Sequence, residues 1–549
     1  MAEKTKKAQI FKRDNTWWSK NWFYTILIAI AVIGGVCAFL VVPFVVPQPF
    51  SKDDSISTLR QAVLVATGSV LAILTLWENR RKNDQEHMRQ VHAERRSRYA
   101  TAIEQLANEK APIRLGGVYT LVKLVDEWLA DEKTLPSKEE RREEGQVIIN
   151  SLCAYIRSPF DLASKTEVLS QNEAPESYEG GIQQFTKDQA RFREEKEIRL
   201  TILDAIKTRL NVSTITQEDK TEKLLKGSWS DFDYDFSNAH FFYRVDFSKS
   251  HFGASSNFTQ TTFLQCADFS GVTFIGDADF SRVTFIERAD FSQVTFTQTG
   301  FSWATFTQDA NFSGTAFTRD ADFFSVIFTG EADFSWATFT GDTIFIWATF
   351  TRDAFFLDTT FTGGSDFSRA TFAQIAIFSW TKFIQGISFS KVTFTGDVDF
   401  SRGIFTRNAY FGEVVFTGDV DFSEAVFNGF TNFSEVKFTQ SVTFSDTTFN
   451  GFASFRKATF AKVNFSMAKF IKTISFSRAT FEEKPIFTRT IFGEIYKARF
   501  SHKADPEGYN FEASHNSPYK IDTEEQEHNG VKFIIPKGAE LFDPDDPSN

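Results

Sequence analysis

Phenylalanine recurs at a fixed spacing along a large part of this 549-residue chain. From Phe269 to Phe492 the interval between recurring phenylalanines alternates between five and six residues with few exceptions, so the repeating unit has eleven residues. A helix is excluded, because side chains five and six residues apart lie on different faces of a 3.6-residue turn. The spacing instead predicts a solenoid, in which the backbone returns to an equivalent point at a fixed period.

The composition indicates that one residue type fills one recurring interior position. The chain has 66 Phe against 11 Tyr and 3 Met, whereas an ordinary core mixes several apolar residues. The position two residues before each Phe is small or β-branched, as in Ala267, Val272, Ala278, Val283, Ala289 and Val294.

The units "ADFSG", "ADFSR", "ADFSQ", "ANFSG" and "ADFSW" resemble those of the pentapeptide-repeat family. In that family each A(D/N)Lxx or A(D/N)Fxx unit forms one side of a square, right-handed β-helix with the central Leu or Phe inside. The resemblance covers residues 229–500 and implies a quadrilateral β-helix there. This chain departs from the family pattern by an extra residue in every second unit, as in "ATFTGD", which predicts an enlarged corner and 22 residues per coil instead of 20.

The length of the repeat region predicts a rod. At about 4.8 Å per coil, the 223 residues between Phe269 and Phe492 make about ten coils and a length on the order of 50 Å. The spacing shortens to five and five at Phe296, Phe301 and Phe306 and again at Phe460, Phe465 and Phe470. Local offsets or bends are expected at both places.

The N-terminal region predicts a transmembrane helical hairpin over residues 21–78. No charged residue lies between Asn21 and Ser51, and a second uncharged run extends from Gln61 to Trp77. Basic residues precede the first run within residues 1–20 and follow the second at 80–82, which predicts that both termini are cytoplasmic. A cleaved secretory signal is the competing interpretation, but the run is long for one and a second run follows.

The prediction for location is therefore a multi-pass protein of the plasma (inner) membrane with the lipid bilayer as one partner. Three widely separated cysteines, Cys37, Cys153 and Cys266, form no framework of disulfides, which fits a cytosolic bulk. Small residues at Gly34, Gly35 and Ala38 are expected to face Ala62, Ala66 and Gly68 and to allow close helix packing.

A helical juxtamembrane domain is predicted over residues 79–160, followed by a linker and an amphipathic helix over 161–228. The amphipathic helix is interpreted as a stalk or as a cap over the first coil. "RYATAIEQLANEK" followed by "IRLGGVYTLVKL" resembles the juxtamembrane region of bacterial, mostly actinobacterial, integral membrane proteins that end in pentapeptide repeats. This resemblance implies membrane attachment and assigns no role.

No catalytic, cofactor-binding or metal-binding pattern stands out, so the chain is not expected to be an enzyme or to need a cofactor or metal. Asp recurs directly before Phe at Asp268, Asp279, Asp290, Asp322, Asp333, Asp399 and Asp421. In this fold class that position lies at a corner where a carboxylate accepts hydrogen bonds from backbone amides. The recurring carboxylates are therefore interpreted as structural.

Four tryptophans form the candidate protein-interaction surface. Trp303, Trp336, Trp347 and Trp380 all follow a Phe by two residues, in a position expected to face outward. Trp303 and Trp347 are 44 residues apart, as are the other two, which predicts two pairs on opposite sides of the rod. Exposed Trp is enriched at interaction hot spots, and packing over neighbouring outer residues is the alternative.

Charge is unevenly distributed along the repeat region. Residues 229–366 carry 18 Asp or Glu against 6 Lys or Arg, whereas residues 367–500 carry 11 against 16. An acidic surface on such a β-helix resembles the DNA-mimicking proteins that bind DNA gyrase, although those are soluble and lack a membrane hairpin. The C-terminal segment 501–549 is polar and is expected either to pack on the helical domain or to be disordered.

The leading hypothesis is a non-enzymatic, membrane-anchored scaffold whose β-helical rod binds another, unidentified protein. A charge-mimicking regulator of a nucleic-acid enzyme such as gyrase is one alternative, and a membrane effector of cell defence is another. A homo-oligomer is compatible with all three, and direct binding of nucleic acid is not expected from a net charge of -11.

Overall fold

The computed structural model describes residues 16–45, 56–215 and 222–546. The chain divides into two compact units, residues 1–100 and residues 101–549, which are considered one at a time. The basic residues before position 16 and the link between the two predicted membrane spans lie outside the described residues.

The first unit is helical. Helix α1 (Thr16–Val36) continues through a π-helical turn (Cys37–Val41) and a final α-helical turn (Val42–Val45). Helix α2 (Ile56–Leu106) is continuous over 51 residues, so the second apolar run and the charged segment after it form one helix. Two stretches, Trp22–Val45 and Ser57–Leu106, are long and apolar enough to cross a membrane.

The two apolar helices approach closely at Gly34. A Cβ atom at this position would lie only 2.4 Å from the methyl group of Thr67, so the site admits only glycine without a shift. Near the same end, the Arg60 side chain donates a hydrogen bond of 3.2 Å to the carbonyl of Ala38. Close packing is thus present at Gly34, but its partner is Thr67 and not the predicted Ala62, Ala66 or Gly68, and Gly35 and Gly68 face open space.

The second unit begins with a group of packed helices. They are α3 (Ala111–Ala130), α4 (Lys138–Arg157), a 3-10 turn (Asp161–Lys165), α5 (Thr166–Leu169) and α6 (Gly181–Leu210). Ser137 caps α4 by accepting a hydrogen bond from the Glu140 amide. A hairpin of strands Asn211–Ile215 and Glu222–Lys226 follows.

The repeat region is a parallel β-solenoid of about eleven coils, as the spacing predicts. Most of its strands have two residues, and each pairs in parallel with the strand one coil later, for example Ala332–Asp333 with Ala354–Phe355. The strands of its middle coils are Ile327–Phe328, Ala332–Asp333, Thr338–Phe339, Thr343–Ile344, Thr349–Phe350, Ala354–Phe355, Thr360–Phe361, Ser365–Asp366, Thr371–Phe372 and Ala376–Ile377. Paired residues are 22 apart, which confirms the enlarged coil.

The coil is built from two sheets joined by sharp turns. The first sheet contains strands such as Thr338–Phe339 and Thr343–Ile344, and the second contains strands such as Ile327–Phe328 and Ala332–Asp333. The first solenoid strand is Tyr234–Asp235, in the first sheet, and Thr480–Phe481 ends the regular series in the second. Both sheets enclose a single interior.

Stacked phenylalanine rings fill that interior. Phe345 is fully buried and stacks between Phe323 and Phe367, with ring centroids 4.7 Å away in both directions. It also meets Phe334 and Phe356 edge to face at 5.5 and 5.7 Å. Each ring therefore has parallel neighbours one coil above and below and perpendicular neighbours across the interior.

Coils at the shortened spacings have 21 residues. Phe296 pairs with Phe317, and Phe449 with Phe470, each 21 residues apart. Four longer strands mark these places, namely Thr273–Asp279, Thr295–Gly300, Lys437–Thr443 and Thr459–Asn464. Thr295–Gly300 has one corner residue fewer than its partner strand Thr273–Asp279, so the register of their pairing shifts between Phe274 and Asp277. This shift confirms the expected offset.

The helical region caps the first coil. Gly145 of α4 lies against the ring of Phe232, where a Cβ atom would come within 2.6 Å of the ring. Gln146 donates to the Asp233 carbonyl at 2.8 Å and accepts from its amide at 2.9 Å. Phe160 stacks on Phe242 at 5.1 Å. Phe192 of α6 contacts the same Phe242 ring at 5.1 Å, so the interpretation of this helix as a cap is confirmed, and α4 contributes to the cap as well.

The C-terminal segment covers the other end of the solenoid. Strand Glu540–Phe542 pairs in parallel with Arg499–Ser501, which pairs in turn with Lys469–Phe470 of the last regular coils. Antiparallel hairpins Thr488–Ile491/Glu494–Lys497 and Thr523–His528/Val531–Pro536 accompany it. The expectation that this segment packs on the helical domain or is disordered is wrong, because Arg499–Ser501 offers it an unpaired strand edge.

We expect Phe345→Ala to lower the free energy of unfolding by about 3 to 5 kcal/mol, because the cavity cannot collapse between two rigid rings. Urea unfolding of the full chain in detergent, followed by circular dichroism, measures this loss. Thr349→Ala, on the outside of the same coil, is the control and should change stability by less than about 0.5 kcal/mol. Equal effects of the two substitutions would contradict a ring-filled interior.

Candidate interaction surface

Two columns of outward side chains run along the sharp turns of the solenoid. Each turn places one residue in the left-handed backbone region, two positions after a Phe, and such residues follow each other at intervals of ten or eleven. Alternate turns stack, so we name the two columns edge A and edge B. Edge A contains Arg282, Trp303, Ser325, Trp347, Arg369 and Lys391; edge B contains Gly314, Trp336, Asp358, Trp380, Arg402 and Glu424.

Carboxylates before the turn hold its backbone. Asp333 accepts a hydrogen bond of 2.8 Å from the Ser335 amide, and Asp399 accepts the equivalent bond from Ser401. The remaining members of the predicted set do the same: Asp268, Asp279, Asp290, Asp322 and Asp421. Their structural role is as predicted, since a side-chain acceptor two residues before an amide stabilises a tight turn.

A second ladder of carboxylates, at the gentler corners, was not found by sequence reasoning. Asp342 accepts a hydrogen bond of 2.9 Å from the Gly364 amide, 22 residues later and one coil away. Asp309, Asp320, Asp353, Asp397 and Asp419 make the same bond to the following coil. The available signal was an Asp three residues after several alternate Phe residues, as at Phe306, Phe339 and Phe394, which becomes meaningful only when the coil length is known.

In the C-terminal half of the solenoid, charged residues of each edge form ion pairs with the next residue of the same edge. Ion pairs join neighbouring coils at Lys391 and Glu413 on edge A and at Arg402 and Glu424 on edge B, at 3.5 and 3.0 Å. The hydrogen bond from the Arg402 guanidinium lowers the pKa of the Glu424 carboxyl. Such exposed pairs contribute little stability, but they occupy the side chains that form them.

The four candidate tryptophans lie on these edges and are exposed. Their exposed fractions are 56% and 50% for Trp303 and Trp347 on edge A, and 60% and 49% for Trp336 and Trp380 on edge B. The two pairs therefore occupy opposite edges. Their function as an interaction surface is untested by this placement and stays a prediction.

Edge A carries an apolar patch around its two tryptophans. Trp303 contacts Phe324 edge to face at 5.5 Å, and Arg369 lies over the ring of Trp347 at 5.0 Å. Exposed Ile344 and half-buried Ile346 complete the group. We call these five apolar residues, from Trp303 to Trp347, the edge A patch.

Edge B carries a second apolar patch two coils long. Phe355 and Ile377 are paired neighbours on the second sheet, and the Trp336 amide bonds to the carbonyl of Leu357 in the adjoining turn. The patch ends at Trp380, whose ring is covered by the Arg402 guanidinium at 4.8 Å. We call Trp336, Phe355, Leu357, Ile375, Ile377 and Trp380 the edge B patch.

These patches replace polar residues of the repeat. The residue after the Phe at a sharp turn is Ser or Thr at most turns, but it is apolar at Phe324, Ile346 and Leu357. The residue before that Phe is mostly Asp, Asn or Ser, but it is apolar at Ile344, Phe355 and Ile377. Sequence reasoning found the tryptophans and missed these six residues, which stand out only once each is assigned to its position in the coil.

A shallow depression adjoins the edge B patch. It has a volume of 410 Å³ and is lined by Ile375 and Ile377 at one end and by four aspartates beyond them. The aspartates are Asp397, Asp399, Asp419 and Asp421, with buried Val398 and Val420 between them. Apolar and acidic surfaces therefore meet on the second sheet.

Neither the Cys153 thiol nor a metal cluster accounts for these surfaces. Burial raises the pKa of the Cys153 thiol to about 12, so that thiol stays protonated and unreactive. Across residues 16–45, 56–215 and 222–546, no group of three or more His, Cys, Asp or Glu side chains is arranged to hold a metal ion.

We expect the triple variant F355N/L357S/I377N to unfold with the same free energy as the parent within about 1 kcal/mol, because these side chains are half-buried on the outer surface, where polar residues occupy the same positions in other coils. Asn already occupies the first of these positions at Asn311 and Asn432. Urea unfolding of the full chain measures the effect. The control Phe356→Asn, at a fully buried neighbour, should be strongly destabilising; a similar loss in the triple variant would show that the patch belongs to the core.

Comparison with known proteins identifies the repeat. The family model described as pentapeptide repeats (9 copies) matches residues 258–302, 323–371, 359–404 and 411–459. No curated protein and no solved structure is significantly similar to the chain.

Proposed function

Because this chain is a pentapeptide-repeat protein, we propose that its solenoid is a non-enzymatic scaffold that binds another protein through the apolar patches on its two edges. The observation that carries this proposal is the replacement of polar outer residues by apolar ones in a few successive coils. Solenoids use their regular outer surface for binding, and local departures from the repeat mark the place where that surface is specialised.

The exposure of the patches supports an interaction role over a packing role. The two neighbours of Trp336 along edge B are Gly314, which has no side chain, and Asp358, which is charged. Neither offers an apolar side chain for the indole ring to pack on. Contiguous exposed apolar residues are costly in water unless a partner covers them. Large aromatic side chains with a polar surround are also the residues that dominate binding energy at interfaces.

The proposal includes anchoring in a membrane by α1 and α2. Apolar side chains on both helices are exposed, among them Ile28, Phe39, Val65, Ile73 and Leu76, an arrangement suited to a lipid environment. Lys82 donates a hydrogen bond of 2.7 Å to the Tyr24 hydroxyl, so a basic and an aromatic group meet at one end of the helix pair. Such groups favour the interface between lipid and water.

Charge mimicry is the weaker alternative for the solenoid. A mimic of nucleic acid needs a continuous negative surface, and residues 229–366 supply the acidic excess for one. Ile344 interrupts the column of aspartates on the first sheet, and Phe355 and Ile377 interrupt the column on the second sheet. This interruption favours recognition of a protein surface that combines apolar and charged groups.

We expect a photo-crosslinking amino acid at position 336 or 347 of the full chain to capture a protein other than the chain itself in the native cell. Mass spectrometry of the crosslinked products identifies what is captured. Lys249 and Gln260 are matched control positions, since they lie on edges B and A away from the patches. Recovery of only lipid and self from positions 336 and 347, or equal capture from the controls, would contradict the scaffold function.

A further inference from the structure

The edge B patch and the adjoining depression form one continuous strip on the second sheet. Phe355 pairs with Ile377, Ile377 with Asp399, and Asp399 with Asp421, so the outward side chains change from apolar to acidic along consecutive coils. Three coil-to-coil steps of about 4.8 Å give a strip about 15 Å long. A ligand lying along this strip would meet apolar groups at one end and carboxylates at the other.

The carboxylates of the depression retain binding capacity. One oxygen of Asp397 accepts from the Asp419 amide and one of Asp421 accepts from the Ser423 amide, at 2.9 and 2.7 Å. Asp399 and Asp419 are held in the same way. In the described part of the chain, none of the four forms an ion pair, and the nearby Arg402 bonds to Glu424. Each carboxylate thus holds the backbone through one oxygen, and its second oxygen is not engaged in an ion pair.

The faces of the tryptophan rings can bind a cation, and two of these rings already contact an arginine of the same chain. Arg402 covers Trp380 and Arg369 covers Trp347, in both cases from the next coil of the same edge. The corresponding neighbour of Trp336 is Asp358, so no arginine of this edge can cover that ring from the next coil. An aromatic face beside a carboxylate attracts a guanidinium or ammonium group.

We propose that this strip binds an extended segment of a partner protein that carries both apolar and cationic side chains. The assignment rests on the scaffold function and adds the chemistry of the partner. Charge complementarity selects the segment, because four unpaired carboxylates and an open indole face favour Lys or Arg, while Phe355 and Ile377 require apolar contacts. Phosphate-bearing partners such as nucleic acids would be repelled by the same carboxylates.

The test uses the full chain in detergent micelles and three fluorescent peptides of about ten residues, with Leu in one half and Arg in the other, Leu and Glu, or Ser and Arg, because alternating residues of an extended peptide would point to opposite faces. Fluorescence anisotropy at physiological salt gives their affinities. The Leu–Arg peptide should bind at least about tenfold more tightly than the other two, because only it satisfies both halves of the strip.

Charge-matched variants localise the binding. D397N/D399N/D419N/D421N should weaken the Leu–Arg peptide by at least about tenfold, and F355N/L357S/I377N should do the same. Asn at these positions keeps the backbone hydrogen bond, as Asn311 and Asn408 show by accepting from the Ser313 and Phe430 amides. The control D268N/E287Q/D290N/D309N removes four charges at least two coils away from the strip on the same side of the solenoid and should change affinity by less than about twofold.

Three results would overturn the assignment: no binding of any peptide by the parent chain, equal binding of the Leu–Glu peptide, or equal weakening by the control variant. Self-association of the full chain that is abolished by F355N/L357S/I377N would also overturn it, because a second copy would then occupy the strip. Crosslinks at position 336 or 347 can still capture another protein when one of these results is obtained. In that case the scaffold function stands, and only the proposed chemistry of the partner fails.

Discussion

Face-to-face stacking of phenylalanine rings between successive coils is the interaction on which the rest of the structure depends. Phe258 stacks on Phe280 at 4.8 Å and Phe405 on Phe427 at 4.4 Å, distances that match the spacing of hydrogen-bonded strands. A ring of one size at one position lets every coil adopt the same backbone path. The outer residues carry none of this packing, so they are free to differ from coil to coil.

A stack of identical coils needs its ends covered, because a terminal coil exposes unpaired strand edges and interior rings. The chain covers the two ends with different structural elements. Helix α4 places Gly145 on Phe232 at one end, while Glu540–Phe542 extends the first sheet at the other. Caps of this kind limit the solenoid to a fixed length and leave its sides as the surface available for binding.

The interior could be predicted from the sequence because its rule is local and repeated. Phe spacing, together with the four-sided coil that the pentapeptide-repeat resemblance implies, gives the 22-residue coil, and the five-and-five intervals at Phe296 and Phe460 give the shifted register. The positions of Gly145 and of Glu540–Phe542 could not be predicted, since they depend on contacts between distant segments with no repeat. Phe324 and Leu357 were overlooked because an apolar residue is conspicuous only after its position in the coil is known to face outward.

Amide hydrogen exchange of the full chain, followed by mass spectrometry, tests most directly whether the phenylalanine stack holds the coils together. The account predicts strong protection in every coil, including residues 324–380, with exchange rising only toward the capped ends as the array frays. The Phe345 amide, which bonds to the Asp366 carbonyl at 2.7 Å, should be among the slowest. Exchange of these middle coils at the rate of an unstructured chain would contradict the account.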